Sequence, residues 1–144
     1  MEPRKVTDSN AKARQRTDTE NRCLAYSDFH RTLGRHLLAT DVDNVEWRFR
    51  NGDLRAVGVM EITRIDGDQK IGKPYLDAIL ERFTERDTFQ SKAALTVAAA
   101  LKTHVYIVLY RADCTEFWVY RLSDGHGFNN PLTAADYEKF LEAL

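Results

Sequence analysis

A chain of 144 residues is the length of one domain and is long enough to bury a single core. At 43% hydrophobic and 30% charged it has the composition of a soluble globular protein, and a net charge of -1 excludes a global polyanion-binding signature, so any nucleic-acid contact has to come from a local patch. The two cysteines, Cys23 and Cys114, lack CxxC spacing, which excludes a zinc ribbon or a disulfide framework and points to a reducing cytoplasm; no apolar run nears the ~18 residues of a membrane span, and no signal peptide is expected.

Residues 1–19 carry almost no large apolar side chains and are expected to be a weakly ordered arm, with residues 20–144 forming the domain proper. Between Arg4 and Arg16 of that arm five basic residues, Arg4, Lys5, Lys12, Arg14 and Arg16, stand against one acid, Asp8. A solvated tail is the first reading, and an arm lying along phosphates is the alternative. From 20 to 38, Leu24, Phe29, Leu33, Leu37 and Leu38 recur at helical spacing, with Gly34 a point of interruption. His30 and His36 are six apart, which does not put two ligands on one helical face, so they read as solvated or phosphate-facing.

Residues 41 to 64 are the most informative stretch. Alternation places Asp41, Asp43, Val45, Trp47 and Phe49 on one side of a strand, so two acids open an otherwise apolar face. Asn51 and Gly52 supply a tight hairpin turn, and in the returning strand Val57, Val59, Glu61 and Thr63 share a side. Carboxylates among apolar side chains are costly unless something compensates them, and those on paired strands can converge on a cation. The plainer reading gives the acids only turn, cap and solubility roles.

A polar loop with Asp66, Asp68, Lys70 and Lys73 follows, and Pro74 suits the first turn of a helix running to about Arg86. A second helix is expected from Asp87, as N-cap, to about Thr103. On it Gln90 falls within the inward stripe of Ala93, Ala94, Val97, Ala100 and Leu101, while Lys92 points outward; a capping box accounts equally for Gln90. Residues 104–110 form an apolar run suited to a central strand covered on both faces, and 116–121 form a strand nearer the edge. His126 lies in a glycine-rich loop, Pro131 breaks structure, and Thr133 with Asp136 caps a terminal helix.

The order helix, Asp-bearing strand, hairpin, strand with Glu, helix, strand resembles the PD-(D/E)XK nuclease superfamily over residues 24–122. The resemblance aligns Asp43 with the motif Asp and Glu61 with the motif Glu, and puts Thr63 where the family has Lys. It implies a single α/β domain with a mixed central sheet of about four strands flanked by helices, a restriction-endonuclease-like core. It also implies Mg²⁺, or Mn²⁺, held by Asp43, Glu61 and the Ile62 carbonyl with Asp41 as an outer ligand. The site residues it implies are Asp43, Glu61, Thr63, Gln90 and Lys70, with Lys73 and Lys92 as other sources of the missing ammonium and His30 or Arg31 near a substrate phosphate. The implied activity is metal-dependent hydrolysis of DNA, with a homodimer pooling local patches as one arrangement. The alternatives are an inactive module that binds nucleic acid or a protein partner, and a small structural subunit. Dinucleotide, Walker, esterase-elbow and HExxH signatures do not occur.

Overall fold

The computed structural model describes residues 19–66, 68–86, 88–122, 128 and 131–144. The basic arm, Asp87 and the loop around His126 lie outside the described residues. The chain divides into two compact units, Met1–Thr40 and Asp41–Leu144.

In the first unit, helix α1 spans Thr19–Arg31. It ends earlier than the periodicity to Leu38 suggests. The N–H groups of Thr32 and Leu33 bond the carbonyls of Phe29 and His30, three residues back, and the Thr32 hydroxyl takes the Phe29 carbonyl as well. Such bonds tighten and close a helical end.

The second unit is an α/β domain built on a mixed four-stranded sheet, the class expected. Its strands, β1 (Asn44–Arg50), β2 (Asp53–Ile65), β3 (Val105–Arg111) and β4 (Phe117–Arg121), lie side by side in that order. The β1–β2 and β3–β4 pairs are antiparallel, and β2–β3 is parallel. Asn51 at φ 52° and Gly52 at φ 83° give the hairpin the two left-handed positions a two-residue turn between twisted strands requires. Parallel β2 and β3 need a crossover, supplied by α2 (Lys73–Glu81), a π-helical turn (Arg82–Arg86) and α3 (Thr88–Ala100). The wide turn carries the chain to the end expected for the first of these helices. A final helix, α4 (Ala134–Glu142), starts at Thr133, whose hydroxyl accepts the Asp136 N–H. No helix among the described residues is long and apolar enough to cross a membrane.

One correction concerns β2. Glu46 pairs with Gly58 but Trp47 pairs with Ala56, so Val57 is the extra residue of a β-bulge. Val57 is therefore out of phase with Val59, Glu61 and Thr63, and their side continues through Ala56 and Leu54 instead. On that side Val59 and Val105 pack against Ala94 and Ala98 of α3. Ile65, Ile107, Leu109 and Trp118 take Tyr75, Leu76, Ile79 and Leu80 from α2, and Phe83 joins both groups. The opposite side, Met60, Tyr106, Val108 and Val119, takes Tyr137, Phe140 and Leu141 of α4. Alanines on α3 let its backbone lie close to the sheet. That closeness positions the site.

Candidate functional site

Two acids expected to converge do so, and the strand ends explain how. The β1–β2 ladder starts at Asn44 opposite Met60, so the next N–H of β2 on that edge, that of Ile62, has run past the end of β1. Asp43, immediately before β1, supplies the acceptor: its Oδ2 takes the Ile62 N–H at 2.8 Å. This bond fixes the Asp43 carboxylate beside Glu61, the neighbouring residue of β2.

Glu61 faces α3 from the middle of the sheet, with Ile107 beside it on β3, and is only 8% exposed. Its carboxyl is raised to about 7, first by burial, then by the negative charge of Asp43 and by the hydrogen bond that its protonated form makes with Asp43. The opposing influence is Gln90. Its Nε2 donates to both Glu61 oxygens at 3.3 Å and to the Asp41 carbonyl at 3.2 Å. An amide has two hydrogens, so one serves the carbonyl and the other is shared across the carboxylate. Gln90 thus ties α3 to β2 and to the segment entering β1. Its inward placement follows from the helical stripe, and its amide donates to Glu61 and Asp41, whereas the capping box expected with Asp87 falls outside the described residues.

The other expected residues are placed as follows. Asp41 contributes its backbone carbonyl, and Ile62 its N–H. Thr63 lies two residues beyond Glu61 on the same side and is exposed. Lys70 is exposed, and its side chain makes no hydrogen bond or ion pair among the described residues. The Lys73 Nζ is 3.0 Å from Asp77 on the outer surface of α2, and Lys92 is exposed. His30 and Arg31 belong to the first unit, where Arg31 lies 3.5 Å from Asp28.

Among the described residues no three His, Cys, Asp or Glu side chains form a metal-holding group. The pair of Asp43 and Glu61 nonetheless fits a hard divalent cation. Its donors are all oxygen, and burial together with the Asp43 charge, which raise the Glu61 carboxyl, disfavour an ionised form that a cation would stabilise. Mg²⁺ commonly takes one or two carboxylates and keeps water or phosphate oxygens for the rest.

A second polar cluster is not evident in the sequence motifs. Arg111, the last residue of β3, reaches Glu116 with Nε at 3.2 Å and the carbonyls of Asp66 and Gln69 with Nη1 at 3.3 and 2.7 Å. Its guanidinium also stands 5.6 Å from the centre of the Trp118 ring. A signal for it exists in the opposite charges of Arg111 and Glu116, five apart across a turn. No protein-family model, curated protein or solved structure gives a match to this chain.

Proposed function

We propose that the Asp41–Leu144 unit is a metal-dependent deoxyribonuclease-like domain whose site is Asp43, Glu61 and Gln90. The observation that carries this reading is the close approach of two carboxylates, one of them buried and raised to about 7, under a single amide donor. Perturbed acids of this kind cluster at functional sites. A divalent cation, when bound, would polarise a scissile phosphate and lower the pKa of an attacking water. The chain's own contributions are separate from that chemistry. The Ile62 N–H orients Asp43, and the Gln90 amide orients Glu61 and holds α3 over it. Glu61 itself, with a carboxyl near neutrality, can hold or release a proton at the pH where the site would work. DNA as substrate rests on the family resemblance.

One observation favours a second reading, an inactive nuclease-fold module that binds nucleic acid or a protein. Thr63 occupies the position where the resembling family has an ammonium, Lys73 is engaged by Asp77, and Lys92 is turned to solvent.

The test is cleavage of linear, single-stranded, flapped and four-way-junction DNA with Mg²⁺, with Mn²⁺ and with chelator. The wild type is compared with Asp43→Asn, Glu61→Gln and Thr63→Lys. Metal-dependent cutting that drops roughly 10²-fold or more in the first two variants is the expected result. Cutting that survives both substitutions overturns the assignment. Absence of cutting by folded wild type, restored in Thr63→Lys, establishes the inactive module instead.

A further inference from the structure

At the other end of the sheet from Glu61, the second unit carries a groove of about 680 Å³. Its walls come from the β1–β2 hairpin, the C-terminal end of α3, the residues entering β3, Arg121 of β4 and the last residues after α4. Five basic side chains line it, Arg50, Arg55, Lys102, His104 and Arg121, and no Asp or Glu does. In a chain whose net charge is -1, this is a local concentration of basic side chains, with the carboxylate of Leu144, which also lines the groove, as the opposing charge.

Helix polarity accounts for only part of it. The C-terminus of α3 favours a cation, and Lys102, held at φ 57° just past that end, fills the role. It gives no reason for Arg50 and Arg55 to arrive from the hairpin or Arg121 from β4. Asp53 stands opposite Arg50 in the strand register, yet does not line the groove. The side chains of Arg50, Arg55 and Lys102 make no hydrogen bond or ion pair among the described residues. Gathering like charges costs repulsion that an anion offsets.

The lining also distinguishes among anions. Trp47 borders the groove and is 44% exposed, offering an aromatic face on the opposite side of the β1–β2 ribbon from Arg50 and Arg55. Cations that follow phosphates, combined with an aromatic surface on which a base stacks, are the elements of single-strand recognition, whereas the bases of a duplex are already stacked on one another. We infer that this groove binds single-stranded nucleic acid, with Arg50, Arg55 and Lys102 on phosphates and Trp47 against a base. The inference does not depend on cleavage at Glu61, because no groove residue belongs to that site.

The experiment uses the full chain carrying Asp43→Asn, in chelator, titrated with fluorescein-labelled oligothymidylate and followed by anisotropy at several salt concentrations. The Arg50→Ala/Arg55→Ala double variant, both side chains being exposed, is expected to bind roughly ten-fold more weakly at low salt. Its log–log salt slope should fall by about 1.4, two contacts at about 0.7 each for a single strand. With unlabelled oligothymidylate, intrinsic tryptophan fluorescence should be quenched, and Trp47→Phe should remove the quench because the other tryptophan, Trp118, is only 3% exposed. Binding unchanged in the folded double variant overturns the inference. So does a duplex of equal length binding as tightly, or inorganic polyphosphate displacing the oligonucleotide equally well in a protein that shows no quench. Failure of this experiment leaves the cleavage test standing, and the reverse also holds.

Discussion

The carboxylate pair at Glu61 and the guanidinium at Arg111 are both reached from the C-terminal half of β2, and they are built on opposite principles. Around Arg111, donors meet acceptors: one carboxylate oxygen and two backbone carbonyls receive its N–H groups, and Trp118 lies beside its plane. Around Glu61, an acceptor meets an acceptor, with one side-chain amide set against the repulsion. The first arrangement anchors the loop after β2 to the end of β3 and serves the fold. The second holds an electrostatic cost in the folded state, which a proton or a cation removes. Sites that act on ligands are where such costs are found.

Three measurements sharpen this contrast, beginning with the largest expected effect. Arg111→Ala leaves two loop carbonyls and the Glu116 carboxylate without their donor, and a loss of about 3 kcal/mol in unfolding free energy is expected from urea denaturation. Glu61→Gln should act in the other direction. A folded-state carboxyl raised from 4.5 to about 7 favours the protonated folded protein, so this contribution is fully present below about pH 4.5 and is lost as pH rises through about 7. Removing the charge should therefore stabilise the protein by up to about 3 kcal/mol at pH 8 and by little at pH 4, read as the pH dependence of the denaturation midpoint. If Glu61→Gln destabilises the protein equally at both pH values, the carboxylate pair is an ordinary structural contact. The smallest effect is that of Mg²⁺. By linkage it should raise the wild-type melting temperature by about 1–2 kcal/mol equivalent at pH 8, less at pH 5.5 where protons compete, and not in Asp43→Asn.

Much of this frame is legible in the residues themselves. Alternation marks β1 and β2, the Asn51 and Gly52 pair marks the turn, the apolar run marks β3 as central, and Thr133 marks the start of α4. Helical spacing alone places Gln90 inward, because spacing reports which way a side chain faces. It does not report what that side chain meets, so the carbonyl of Asp41 as its second acceptor was not legible. Nor was the end of α1, decided by local bonds at Thr32 that compete with a continuing apolar stripe. The basic groove was hidden for another reason. Its cations come from β1, β2, the α3–β3 junction and β4, and only the folded sheet brings them together.

The extra residue at Val57 has a consequence for how this strand is written. Before it, the even-numbered Leu54 and Ala56 share a side with Trp47 and Phe49 of β1; after it, the odd-numbered Val59 and Glu61 share a side with Val45. One continuous strand therefore reads in two phases, with a frame change between the hairpin half and the carboxylate half. Inserting or deleting an even number of residues within either half leaves the other facing as it does, whereas deleting Val57 would merge the two phases into one regular alternation, with Ala56 and Val59 still on the same side and only the bulge and its local bend lost.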